Sequence, residues 1–473
     1  MSPSSDGLRP AHEVVESALG ASRADGCVVV VQESHGIEVR FARNTTTTNG
    51  QRRERRVTVV SFRAKGAGGA GAGAEAMAVG IASASGAGDV EELVRASEAD
   101  AERAGPADEA APLVSGDADA DFADPPPPTE LSALAPVLDG LGGAFGRARH
   151  HGRVLAGFAH QQVETTYLGT GAGLRRRHVQ PTGSLELVAR TSDGTASAWA
   201  GVGSAPFEDG VLEGLEERLA QRLSWARRRV ELPAGRYEVI MPPDAVADLM
   251  IMLAEAASGR DAEDGRNVFS APGGGTKVGT ALSAYPFELR SDPAEPGLEC
   301  APFLVTTASS TDVSVFDNGL PLERTEWITG GVVRRLRYHR AGAARSGATA
   351  TAPIDNLVLE APGTTASLDD LIGGTRRGLL LTCLWYIREV DPVTLLLTGL
   401  TRDGVYLVEG GEVVGAVNNF RFNESPVDIL AHASEAGRSE RALSREWGEW
   451  LNRTAMPPLR VDGFNMSSVS PAT

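Results

Sequence analysis

Cysteine is scarce in this chain: 473 residues contain three, Cys27, Cys300 and Cys383, far apart and with no CxxC pair. A disulfide framework is therefore not expected. Positive charge is the second deficit. Lys and Arg number 45 against 62 Asp and Glu, for a formal charge of −17. A phosphate-backbone partner binds through counterion release by basic side chains, so nucleic acid is excluded as the expected partner. No uninterrupted apolar run approaches the roughly 20 residues that cross a bilayer. The opening MSPSSDGLRPAHEVV lacks the basic-then-apolar order of a signal peptide. These absences predict a soluble, cytoplasmic protein with no membrane partner. The eight histidines form no HExxH, no HExxxH and no i,i+4 pair, and GxSxG is absent. A helical two-histidine zinc site and a serine-elbow nucleophile are both missing.

What is present suffices for two or three domains with real cores. Residues 1–115 read as an N-terminal α/β unit. It has a helix at 11–21, a buried strand at 27–31, an alternating strand at 37–42 and a tight turn within 43–50. A strand at 57–62 and a returning strand at 77–82 flank the glycine-rich stretch 64–76, which reads as a mobile hairpin loop; a helix follows at 90–104. Residues 116–129, GDADADFADPPPPT, read as an extended, semi-rigid linker. Residues 130–234 make a middle α+β unit, with helices at 131–148 and 210–230 around strands at 153–167, 178–190 and 195–200. Residues 235–473 turn mainly to strands, at 237–240, 301–307, 331–338, 355–360, 378–389, 394–401, 404–409 and 412–422. The fold class is α+β, and this C-terminal, mainly β domain predicts a strongly bent sheet or barrel.

The chain is organised around residues 241–265, MPPDAVADLMIMLAEAASGRDAEDG. Asp244 is placed to cap a helix apolar nearly all round (Val246, Leu249, Met250, Ile251, Met252, Leu253), hence a buried one, which Gly259 stops. Asp248 and Glu255 lie seven residues apart on one side of it. They read as a carboxylate pair for acid–base work or as a polar stripe facing a cavity. His150-His151 reads as a solvated helix end, and His160 as a satisfied sheet histidine. Cys383, inside LLLTCLWYI, reads as an inert core thiol. Gly273–Lys277 fails the GxxxxGK[ST] spacing of a phosphate loop. The runs 52–56 and 175–177 are rich in arginine and read as guarded strand edges, or as sites that attract peptide carboxylates. Residues 379–387 and 395–400 are apolar without alternation, so both faces need cover, from a partner's domain or from one core.

Three segments carry a family resemblance: ARNTTTTNG at 42–50, FDNGLPLERTEWITGGVV at 316–333, and the strand set at 376–430. Together they resemble the TldD/PmbA family of peptidase subunits over nearly the full chain. The TldD type carries HExxxH on a helix and a late cysteine, which together hold zinc. On that pattern Ala254 stands where the first histidine belongs, Gly259 where the second does, and Glu255 matches the glutamate. WGEWLNRTAMPPLRV at 447–461 holds no cysteine. The chain thus resembles the metal-free PmbA/TldE partner. The resemblance implies a non-catalytic subunit without a cofactor of its own, paired with a TldD-like metallopeptidase subunit that carries the zinc. It also implies an unfolded or modified peptide as substrate. A stand-alone hydrolase or tailoring enzyme acting through Asp248, Glu255 or other carboxylates, and a stand-alone peptide-binding or scaffold protein that forms a homodimer, are the other readings of these residues.

Overall fold

A two-residue reversal at Arg43–Asn44 starts the first sheet. Both residues hold positive φ, 52° and 58°, the left-handed pair that a type I′ turn requires. Asn tolerates that conformation, and its side-chain amide is used twice, donating to the Arg153 carbonyl at 2.9 Å and accepting from the Leu155 N–H at 2.7 Å. The turn joins β1 (Gly26–Ala42) to β2 (Thr45–Lys65). The two short strands expected at 27–31 and 37–42 are one strand. The computed structural model describes residues 9–65, 76–86, 88–203 and 206–471; most of the glycine-rich stretch 64–76 lies outside them.

With β3 (Ala76–Ser85), β4 (Arg153–Thr170), β5 (Arg175–Thr191) and β6 (Ser197–Gly203), these strands form one six-stranded sheet in the order β3-β2-β1-β4-β5-β6. β1 pairs with β4 from Val28–Thr170 to Phe41–Gly157. The first and middle units drawn on either side of residues 116–129 therefore share a sheet. The physical reason is that β1 alone would leave one edge of backbone donors and acceptors unpaired, and β4 satisfies it.

Four helices cover one face: α1 (Ala11–Ala21), α2 (Val90–Arg103), α3 (Ala135–His150) and α4 (Val211–Trp225). Val29, Val31, Ile37, Val39 and Phe41 pack beneath them. Val28 and Val30 point the other way, onto Phe303, Val315 and Phe316 of the C-terminal half. Burial on both faces is why 27–31 is apolar throughout, whereas 37–42 alternates. At Gly80 the α2 backbone touches β3 so closely that a Cβ would fall 2.1 Å from the Ser97 carbonyl oxygen.

The acidic segment is not a detached spacer. Asp119 accepts from the Arg176 guanidinium and the Arg177 N–H, both at 2.9 Å, and Asp121 pairs with Arg177 at 2.8 Å. Phe122 is buried against Tyr167, whose hydroxyl donates to the Asp124 carbonyl at 2.6 Å. Arg175, Arg176 and Arg177 thus hold carboxylates, Arg175 that of Glu16, and do not guard an edge. Arg52–Arg56 differ. β3 pairs with β2 only from Arg56 onward, so residues 45–54, paired with β1 on one side, form an outer edge with no second strand beside them among the described residues.

In the C-terminal half, α5 (Pro243–Glu255) lies in a core shared by two sheets. One is ten-stranded, an open path from Leu384–Asp391 through Leu459–Val469 and Gly235–Met241 to Arg229–Val230; the other is six-stranded and includes Glu288–Ser291 and Leu357–Glu360. The fold is α+β and sheet-rich, and no closed barrel is present among the described residues. Residues 301–307 are loop, and 331–338 hold only the short strand Val332–Val333. Leu379, Leu381, Leu384, Ile387 and Leu397 are fully buried in the shared core. Leu380 packs on Leu371 and Ile372 of the helix Leu368–Gly374. Both faces of 379–384 are covered within the chain, whereas 395–400 buries Leu395, Leu397 and Gly399 and leaves Leu396, Thr398 and Leu400 half-buried, and Tyr386 is exposed.

Candidate functional site

The start of α5 departs from expectation. Pro242 occupies the capping position and Pro243 the first helical turn, so Asp244 sits inside the helix and makes no cap. Its carboxylate accepts from the Leu443 N–H at 3.0 Å instead. One turn on, Asp248 accepts from the Ser444 hydroxyl at 2.5 Å and the Glu446 N–H at 2.9 Å, while its carbonyl takes the Trp447 indole N–H at 3.0 Å. The two aspartates pin α5 to the 443–447 turn. Burial pushes the Asp248 carboxyl up to about 8, against the pull of those two hydrogen bonds.

Glu255, at the far end of α5, has other company. The Arg337 guanidinium donates to the Glu255 carbonyl at 2.6 Å, approaches its carboxylate at 3.4 Å, and pairs through Nε with Asp312 at 2.6 Å. Asp248 and Glu255 therefore do not form a pair: each is engaged by different partners. Burial raises the Glu255 carboxyl above its ordinary value, and Arg337 offsets part of that. Glu255, Asp312 and Arg337 open on a chamber of about 510 Å³ between the first sheet and the C-terminal half. Its walls include Glu164 and His178 from β4 and β5, with Phe303, Ile354 and Trp450 opposite.

Past Glu255 the chain turns into α6 (Gly259–Glu263), capped by the Ser258 hydroxyl. Gly259 does not stop α5, which ends at Glu255 with Ala256 as its cap; it opens α6 instead. Its N–H donates to the Arg337 carbonyl at 2.9 Å, and a Cβ built on it would fall 2.0 Å from Cζ of Tyr338. The Tyr338 hydroxyl donates to Glu263 at 2.7 Å, which fixes the ring over that spot. Ala254 is partly buried against the core. The residues at these positions do not fit a zinc ion. Ala254 and Gly259 have no ligating side chain, a ring fills the space beside Gly259, and no group of three or more His, Cys, Asp or Glu among the described residues is placed to hold a metal.

The remaining candidates fall where their chemistry suggests. His160 shares a 3.0 Å hydrogen bond with Ser184 and stacks on Phe158. His150 ends α3, exposed beside His151. Cys383 is buried, which raises its thiol well above the ordinary value. Arg337, Asp312 and Tyr338 escaped the sequence reading. The signal available was RRLRYHR at 334–340, where a buried arginine between Leu336 and Tyr338 breaks any strand alternation.

Residues 234–468 match the PmbA/TldA metallopeptidase C-terminal domain. No curated protein matches the chain. Among solved structures, TldE from Thermococcus kodakarensis aligns with a TM-score of 0.76 at 18% identity, over 97% of this chain and 99% of that one. A putative modulator of a DNA gyrase from Thermotoga maritima aligns at 0.71 and 14% identity, over 96% and 99%. One described in similar words from Bacteroides thetaiotaomicron aligns at 0.71 and 16% identity, over 97% and 98%. At such identities the likeness establishes the fold.

Proposed function

Because its C-terminal domain places this chain in the TldD/PmbA family, we propose that it is the zinc-free, non-catalytic subunit of a cytoplasmic heterodimeric metallopeptidase. Its partner is a TldD-type chain that carries the zinc, and the pair acts on unfolded or modified peptides. One observation carries this reading: the place of the second zinc ligand is Gly259, closed by the Tyr338 ring. A glutamate without a metal ion cannot draw a water's pKa toward neutrality, and Glu255 is engaged by an arginine instead. What this subunit contributes is a chamber wall and the alignment of the peptide.

The test is co-expression with a chain that has HExxxH and a late cysteine, followed by light scattering and elemental analysis. A one-to-one complex with one zinc per pair is expected, with zinc below stoichiometry on the isolated chain. Glu255→Gln should leave the activity of the pair within a few-fold. One tightly held zinc per isolated chain, or a loss of about 10²-fold on Glu255→Gln, the scale of a general acid–base residue, overturns the reading.

A further inference from the structure

Two cavities meet on the face of the first sheet that looks toward the C-terminal half. One is the chamber of about 510 Å³ beside Glu255; the other, about 530 Å³, runs along the outer edge of β2. Gln32 and Glu164 line both, so the two spaces adjoin across β4, β1 and β2. Gln32 donates to the Glu164 carboxylate at 3.0 Å, which holds that carboxylate at the junction. No arginine or lysine among the described residues pairs with it.

The charge along this track is polarised. The inner end carries Glu255, Asp312 and Asp355 against Arg337, with Arg453 paired to Asp355, and Glu164 stands at the junction with the outer cavity. The middle is apolar, walled by Phe303, Ile354 and Trp450; Trp450 is 54% exposed. The outer end carries Arg52, Arg53, Arg55 and Arg56 against Glu54. Arg52 is matched to Glu54 and Arg55 to Glu33; Arg53 and Arg56 have no carboxylate partner among the described residues. In a chain of net charge −17 this is a local reversal of sign. Beside it, residues 45–54 of β2 present backbone donors and acceptors to any extended chain laid against them.

We propose that this track binds an extended peptide in one direction, with its free N-terminal ammonium at the carboxylates around Glu164 and Glu255 and an acidic C-terminal end at the β2 arginines. An ammonium suits this stretch because Glu164, Glu255, Asp312 and Asp355 outnumber the two arginines that face them, Arg337 and Arg453. Carboxylates suit the outer end because guanidinium groups bind them through paired, charge-assisted hydrogen bonds. The proposal rests on the reading of the chain as a substrate-holding subunit, and it specifies which peptide is held and which way round.

The experiment is fluorescence anisotropy on the isolated chain with a peptide that has an apolar centre and an Asp-Glu end, labelled on a central lysine. Four forms are compared: both termini free, N-acetylated, C-terminally amidated with Asn-Gln, and both modified. Each single modification should weaken binding about tenfold, the scale of one charge-assisted hydrogen bond. Glu164→Gln should abolish the response to acetylation and keep the response to amidation. Arg53→Ser with Arg56→Ser should do the reverse. Circular dichroism identifies variants that fold, and the wild-type comparison stands without them. Absence of binding, equal affinity for all four forms, or both responses lost together in one folded variant overturns the proposal. The assembly and zinc measurements do not enter this titration. A chain that pairs with a zinc-bearing subunit yet ignores peptide termini loses only the track. A chain that holds its own zinc loses the subunit reading, and the titration still decides the track.

Discussion

The ring of Tyr338 occupies the space that a side chain at Gly259 would need, with its Cζ 2.0 Å from where a Cβ would stand. Tyr338 is 6% exposed and tied to Glu263, so the ring has little room to yield. Gly259→Ala should therefore destabilise the protein by about 1–3 kcal/mol, the usual cost of overpacking. Tyr338→Ala removes the obstacle at the cost of a cavity. The two changes together should cost less than the sum of each alone, because one creates the space that the other fills. Urea unfolding of the four proteins measures this. Strict additivity would mean that the two residues are not in conflict.

Asp248 gives a pH dependence of definite sign. Its folded-state carboxyl lies at about 8 because of burial, against about 3.9 in an unfolded chain. The folded form then binds a proton that the unfolded form has released, so stability falls as pH rises from about 4 to about 8 and is flat outside that window. Asp248→Asn keeps an acceptor for Ser444 and Glu446 and cannot titrate. The variant should match wild type near pH 3.5, below the window, and exceed it by a few kcal/mol near pH 8.5. Asp244, also raised by burial, slopes the same way in both proteins and cancels in the comparison. Parallel stability curves would show that Asp248 is ionised throughout.

Much of this architecture was legible because local periodicity and burial agreed. The α1 face (Ala11, Val14, Val15, Ala18) and the leucines of α4 mark helices that lie on a sheet, with one face dry. The buried helix α5 and the inertness of Cys383 followed from apolar runs with no exposed side. Long-range pairing was not legible. Nothing local to Val28 or Thr170 says that they are partners, so the boundary drawn at 115 cut through a sheet. Asp244 resembled a cap because an acid after a proline pair so often is one. Its real partner, the Leu443 N–H, lies 199 residues away. The candidate site was half visible: Glu255 came from motif spacing, whereas Arg337 reaches it only through the fold.

The acidic segment should be released by removing a single carboxylate. Asp119 holds both the Arg176 guanidinium and the Arg177 N–H, and the next anchor along, Asp121, is 48% exposed in its side chain. Asp119→Ala should make residues 116–124 the first site of limited proteolysis, whereas wild type resists there. Added salt should speed cleavage of wild type toward the variant's rate, since partly exposed pairs are screened. Mass spectrometry of early fragments checks both. First cuts in wild type within 118–124 would mean that the segment is not docked.

Leu397 decides whether the apolar strands at 379–400 serve a core or an interface. Its side chain is 0% exposed, in the cluster that also holds Leu381, Phe422 and α5. An ammonium placed there has no water to reach, and its cross-strand neighbour Glu424 is buried and already takes the Asn465 N–H; burying a poorly paired charge is among the costliest single changes a core can suffer. Val393, at the nearby turn, is 49% exposed and provides the control, because a lysine there stays solvated. Leu397→Lys should abolish soluble folded protein or cost several kcal/mol by denaturant unfolding, whatever the oligomeric state. Val393→Lys should fold within about 0.5 kcal/mol of wild type, the usual range for surface changes. A well-folded Leu397→Lys monomer from a dimeric wild type would instead place this strand at a subunit boundary and displace it from the core.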